Sequence, residues 1–137
     1  WTGPRRTILE SGTDGVVANF TNRIRQGQPV RIDGDGSQVR EPLYIDDLVQ
    51  AILCCLRSDL PGFRAYNISG KESLTVHEVL NTISKVANKP LSITPSKNPA
   101  GLPNVLRLST ELAASELGWR PETSFEDGIR RVLENSR

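Results

Sequence analysis

The stretch IDGDGSQVREPLYIDDL, from Ile32 to Leu48, sets a glycine turn, an arginine and a paired-aspartate helix start within one short span. A solvated hairpin has this composition, and so does a clamp for an anionic ligand. Its flanks decide the fold class. Upstream, residues 14–26 carry Val16, Val17, Phe20 and Ile24 at helical spacing, and Gly27 ends the run. PVRI (29–32) reads as a short strand, DGDGS (33–37) as the turn, and QVREPLYI (38–45) as a second extended piece broken by Pro42. From Asp46 a helix runs to about Arg57, because Val49, Ile52, Leu53 and Leu56 recur at i, i+3, i+4 and i+7. Of the two aspartates, one suits the N-cap and the other the positive end of the helix dipole.

Beyond the Leu60-Pro61-Gly62 stop, FRAYNIS (63–69) alternates and is rich in β-formers, which predicts a strand. Thr75 and Glu78 supply a capping box for a helix whose apolar face is Val76, Val79, Leu80, Ile83 and Ala87. LSIT (91–94) predicts a strand and PSKNPAGLPN (95–104) a proline-rich loop. Ser109 or Thr110 opens a short helix that stops at Gly118, and Ser124 caps a last helix carrying Phe125, Ile129, Val132 and Leu133. The sum is a single α/β or α+β domain of short strands and four or five amphipathic helices.

Composition excludes several functions. A chain of 137 residues buries about two-thirds of its unfolded surface, enough for one core. With 17 basic and 16 acidic residues, the net charge of +1 leaves no footprint for nucleic acid or an anionic membrane. The longest uncharged apolar run, LVQAILCCL, is far too short to span a bilayer, and no signal-peptide pattern opens the chain. Cys54 and Cys55 are helical neighbours pointing about 100° apart, so they do not bridge, and two thiols make no metal site. Buried, reduced cysteines and a cytoplasmic location are the expectation. His77, the single histidine, lies off the apolar stripe of its helix and reads as a surface residue. The chain has no GxGxxG, P-loop, HExxH, CxxC or Tyr-x-x-x-Lys motif. The opening WTGPRR reads as a loop without a start methionine, so the chain is expected to continue a longer protein.

Pattern alone stops there, and the wording of the segments carries further. In order they are GPR (3–5), GVVANF (15–20), GQPVRIDGDGSQVRE (27–41), YIDDLVQAI (44–52), YNISGKESLTVHEV (66–79) and ELGWRPETSFEDGI (116–129). Together they resemble the C-terminal part of an extended short-chain dehydrogenase/reductase of the NAD-dependent nucleotide-sugar epimerase/dehydratase family. The resemblance implies an α/β fold, as the small substrate-binding portion of an extended Rossmann-type enzyme. Family members place a dinucleotide-binding Rossmann domain first, with a glycine-rich loop and a Tyr-x-x-x-Lys pair, and this chain holds neither. It implies NAD or NADP in the intact enzyme, no cofactor and no catalytic residue in this chain alone, and no metal. The implied ligand is a UDP-, dTDP- or GDP-sugar. The Rossmann domain lies in cis or in trans, and apolar surface left uncovered without it is expected to cause self-association.

Within that family the arginine of a Q-x-R-D-F pattern reaches the nucleotide-sugar diphosphate, and Arg40 stands at its position. A guanidinium suits this role because it is always charged and its planar fork holds two phosphate oxygens at once. The glycine turn would let the backbone approach the ligand while Arg40 enters from the returning strand. The other reading is a surface arginine paired with Asp35 or Glu41. Asn67 matches the asparagine of a Y-N-I-G strand end near the diphosphate; the other reading is a strand-end asparagine making a local turn. Arg107 resembles a second basic residue closing on it, and Asn19 in VVANF either touches the sugar nucleotide or is a polar residue on the outer helix face. The resemblance also makes Asp46 and Asp47 structural, since the family's V-D-D opens a helix. The chain departs from the pattern at Thr2, Asp33, Pro42 and Ser109, where the family commonly has Tyr, an aromatic, an aromatic and Asp; the base and the sugar are thereby left open. A stand-alone nucleotide-sugar binder and a degenerate interaction domain without catalysis are the alternatives.

Overall fold

The computed structural model describes residues 15–96 and 105–135, which hold five helices and four short strands. In chain order these are α1 (Val16–Arg25), β1 (Val30–Ile32), β2 (Val39–Arg40), α2 (Ile45–Arg57), β3 (Leu74–Thr75), α3 (Val76–Ala87), β4 (Ile93–Pro95), α4 (Glu111–Leu117) and α5 (Phe125–Glu134). The opening WTGPRR with Thr2, and residues 97–104 of the proline loop, lie outside the described residues.

Helix α3 organises the larger core. Its capping box forms as the sequence requires: Thr75 Oγ1 accepts from Glu78 N at 3.2 Å, and Glu78 Oε2 accepts from Thr75 N at 2.7 Å. The Thr75 amide, and then its hydroxyl, both donating to the Glu78 carboxylate, hold that carboxyl below its ordinary range. The helix ends on Asn88 in the left-handed region (φ 51°), which asparagine tolerates better than most residues. Between these stops Val76, Val79, Leu80 and Ile83 are buried against Phe20 and Ile24 of α1, Val30 and Ile32 of β1, and Ile129 of α5. Each such side chain contributes about 1.5–3 kcal/mol relative to exposure.

The glycine turn does not close a hairpin. β1 pairs with β4 in parallel (Val30↔Ile93, Arg31↔Thr94, Ile32↔Pro95), whereas β2 pairs with β3 antiparallel (Val39↔Thr75, Arg40↔Leu74). The turn is instead docked on the start of α3: Val76 N donates to Gln38 O at 3.0 Å and His77 N to Gly36 O at 3.3 Å. Gly36 is buried with φ 78°, and a Cβ there would lie 2.5 Å from His77 Nε2. Its backbone therefore faces His77, not an open surface. His77 is exposed as expected and hydrogen-bonds through Nε2 to Asp35 O at 2.8 Å.

Residues 63–69 form no strand, although their composition predicts one. A strand needs a ladder partner, and this segment is held by side chains. Arg64 Nη1 reaches Glu116 Oε1 at 2.8 Å, and Tyr66 donates its hydroxyl to Glu116 Oε2 at 2.7 Å. The Glu116 carboxylate, then burial, raises the Tyr66 phenol above its ordinary value. A second apolar cluster forms here from Ala51, Ala113 and Trp119, with Leu43, Cys54, Tyr66, Ile68 and Leu117 packed on it.

Helix α2 also differs from expectation. Its buried apolar residue is Ala51, while Val49, Ile52 and Leu56 are exposed at 39, 46 and 77 %, continuing to Leu60 and to Phe63 at 95 %. Cys54 is half-buried and Cys55 exposed, so the thiols are not both buried. Neither Asp46 nor Asp47 is the N-cap; Tyr44 holds that position, and both aspartates lie in the first turn. Asp46 reaches outward to Arg131 at 4.0 Å. Asp47 is 7 % exposed and accepts from Thr123 N at 3.0 Å and Thr123 Oγ1 at 3.1 Å, while its carbonyl accepts from Trp119 Nε1 at 3.0 Å. It is structural, as the family likeness implied, through a tertiary link and not an N-cap. Among the described residues no helix is long and apolar enough to cross a membrane.

Asp47→Ala orphans the partly buried Thr123 donors and should cost about 1–3 kcal/mol in urea unfolding. Asp46→Ala should stay within about 0.5 kcal/mol. Equal effects would contradict this account of the helix start.

Candidate functional site

Arg40 sits at the end of a two-residue strand, and that strand is the middle one of three extended segments. On one side β3 pairs with it; on the other, Val39 bridges Val105 in parallel and Leu106 N donates to Val39 O at 3.2 Å. The segment after the proline loop, carrying Arg107, is thereby brought beside Arg40.

Glu41 fastens the arrangement. Its Oε1 accepts from Ser73 Oγ at 2.7 Å, and its Oε2 accepts from Ser69 Oγ at 2.7 Å and from Leu108 N at 3.0 Å. Burial pushes this carboxyl up, but the three hydrogen bonds and the nearby Arg107 charge outweigh it and leave it below the usual range. One side chain thus ties the Arg40 strand to the Asn67–Ser73 loop and to the Arg107 segment. The loop also packs directly on the strand: a Cβ at Gly70 would overlap the Pro42 carbonyl. Glycine is needed there for close approach.

The segments that carry three of the residues singled out in the sequence meet at Glu41. Arg40 is half-buried, and its Nη1 donates to Val39 O at 2.7 Å. Asn67 and Arg107 are exposed. Asn19 is not among the residues that Glu41 gathers; it lies half-buried on α1, where its Oδ1 accepts from Arg23 Nε at 3.2 Å. Asp33 is exposed and faces Arg31 at 3.5 Å, a surface pair of little energetic weight. Asp35 is engaged by Ser37 through both hydroxyl and amide, which holds its carboxyl low. Sequence reasoning misses Glu41, Ser69, Gly70 and Ser73. The available signal is a carboxylate directly after the arginine and a Ser-Gly-Lys-Glu-Ser loop with two hydroxyls to meet it.

Chemically, the cluster offers guanidinium and amide donors to an anion and no nucleophile–base pair. Among the described residues, no group of three or more His, Cys, Asp or Glu could hold a metal ion. Gln38 is 6 % exposed; its Nε2 donates to Asp33 O at 2.5 Å, and its Oε1 has no partner among the described residues.

Known proteins match this chain. The profile of the NAD dependent epimerase/dehydratase family covers residues 1–69. A dTDP-4-dehydro-6-deoxyglucose reductase of Escherichia coli is 34 % identical over 127 residues, covering 92 % of this chain and 40 % of the reductase. A UDP-glucose 4-epimerase of Thermotoga maritima, solved with UDP-glucose, superposes with a TM-score of 0.81 at 31 % identity, over 97 % of this chain and 42 % of the epimerase. A Thermus thermophilus UDP-glucose 4-epimerase, solved with NAD, gives 0.77 at 32 % identity, over 92 % and 41 %. The chain spans about two-fifths of the length of these relatives.

Gly70→Ala forces its methyl into the Pro42 carbonyl and should destabilise the chain by about 1–3 kcal/mol in denaturant titration. Gly62→Ala meets no neighbouring atom and reports only the strain of its φ of 79°. A Gly70→Ala protein as stable as the original would show that this contact does not set the loop.

Proposed function

Because this chain belongs to the NAD dependent epimerase/dehydratase family, we propose that it is the substrate-binding portion of an NAD(P)-dependent nucleotide-sugar epimerase, dehydratase or decarboxylase, clamping the diphosphate of a UDP-, dTDP- or GDP-sugar. The observation that carries this reading is Arg40 on the central extended segment, between the Asn67 loop and the Arg107 segment that Glu41 holds against it. In this reading Arg40 grips two phosphate oxygens with its fork. Asn67 donates to a phosphate or accepts from a ribose hydroxyl, Arg107 closes from the other side, and Asn19 contacts the sugar nucleotide. Exchanging the Arg40–Val39 carbonyl bond, in which only the donor is charged, for bonds to phosphate oxygens, in which both partners are charged, favours the bound state.

In this reading the described residues do not hold a dinucleotide. The one Gly-x-Gly turn leads into β2 and not into a helix N-terminus, and its second glycine is covered by the His77 ring. The cofactor's hydride chemistry is therefore assigned to the Rossmann domain of a longer or partner polypeptide, in the cytoplasm, and this chain's part is to bind and orient substrate.

The uncovered apolar row Val49, Ile52, Leu56, Leu60 and Phe63 favours a covering partner. That partner is the nucleotide-binding domain or, in its absence, a second copy. Sedimentation of the chain over a wide concentration range should show self-association, and a clean monomer throughout would contradict it.

Arg40→Ala should weaken UDP-glucose binding by about 1.5–3 kcal/mol, or one to two decades in affinity, in the chain or in a longer polypeptide that carries it. Arg40→Lys should recover only part, because the ammonium keeps the charge and loses the fork. Calorimetric titration reads both. Should Arg40→Ala unfold the protein while leaving affinity intact, the arginine is structural and the diphosphate reading is wrong.

A further inference from the structure

Glu41 is spent inside the protein and is not offered to a ligand. Three donors converge on its two oxygens, and they come from two segments that are otherwise weakly held. Residues 66–73 make no ladder bonds, and residues 105–108 are tied to β2 by one bridge and the Leu106–Val39 hydrogen bond. β2 itself is two residues long. Asn67, Arg40 and Arg107 each stand one or two residues from an atom that Glu41 contacts or from Glu41 itself.

We propose that Glu41 is a positioning residue, whose carboxylate locks the segments bearing Arg40, Asn67 and Arg107 into one binding face before ligand arrives. The inference rests on the diphosphate reading of Arg40. The physical reason is preorganisation: segments fixed in advance do not charge their ordering to the binding step. A carboxylate suits the lock because it accepts several hydrogen bonds at once, each strengthened by its charge. Glutamine retains most of this geometry, since its oxygen can accept from Ser69 and Leu108 while its amide donates to Ser73. Alanine retains none.

The test is a double-mutant cycle in the full 137-residue chain, with UDP-glucose as probe because its diphosphate diester stays ionised. Glu41→Ala should weaken binding about tenfold, the equivalent of one charge-assisted hydrogen bond. Asn67→Ala and Arg107→Ala should each weaken binding in the original protein and add no further loss in the Glu41→Ala background. Glu41→Gln should restore most of the affinity. In amide NMR spectra, UDP-glucose should shift Arg40, Asn67 and Arg107 together in the original chain, and Arg40 alone in Glu41→Ala. If Glu41→Ala does not fold, the pair Ser69→Ala with Ser73→Ala releases the Asn67 loop alone and leaves the Leu108 bond in place, so Asn67→Ala should then add no further loss while Arg107→Ala still does. Additive losses, unchanged affinity in folded Glu41→Ala, a Glu41→Gln as weak as the alanine variant, or silent Asn67→Ala and Arg107→Ala would each overturn the proposal. Arg40→Ala separates the two readings: weakened binding there with a neutral Glu41→Ala removes only the positioning role, whereas unchanged binding removes the diphosphate reading as well.

Discussion

A strand two residues long cannot hold its own place by ladder bonds, and β2 is that short. What fixes it is the carboxylate next door. Glu41 collects Ser69, Ser73 and Leu108, residues 28 to 67 positions away in the chain, onto two oxygen atoms. The close seat of Gly70 under Pro42 depends on the same approach. A charged group is well chosen for this because each bond it accepts is stronger than a neutral one, and because water is partly kept from it. The helices supply a scaffold, while the geometry of the proposed binding face is set by this one side chain.

How much of this is legible in the sequence follows from which signals are local. The helix α3 reads directly from Thr75, Glu78 and the spacing of its apolar residues, since capping and periodicity are properties of a few adjacent positions. The Ser124 cap and the Gly118 stop of α4 are legible for the same reason. The failures are all non-local. FRAYNIS has the composition of a strand but finds no partner among the described residues, and the glycine turn looks like a hairpin until α3 takes up its carbonyls. Asp47 carries the mark of a cap, yet its bonds go to Thr123, 76 residues on. Arg40 can be picked out by its motif, whereas Glu41 cannot, because its meaning lies in three distant donors.

Helix α2 shows the difference between a pattern and its partner. Its apolar row has the spacing of a core face, and the periodicity is real; the described residues leave it uncovered because small Ala51 faces the second cluster. The relatives are more than twice as long as this chain. The row has helical spacing on a face that the second cluster does not use.

The two apolar clusters are not independent, and one link between them is Asp47. Its carboxylate holds Thr123, directly before the Ser124 cap of α5, and its carbonyl holds the Trp119 indole of the second cluster. α5 in turn packs Ile129 and Phe125 into the first cluster. Fraying the first turn of α2 therefore loosens Trp119 of the second cluster and the lead-in to α5 at once. Slow-exchanging amides on both sides should share one opening event, so that the small domain behaves as a single cooperative unit and not as two foldons joined by a loop.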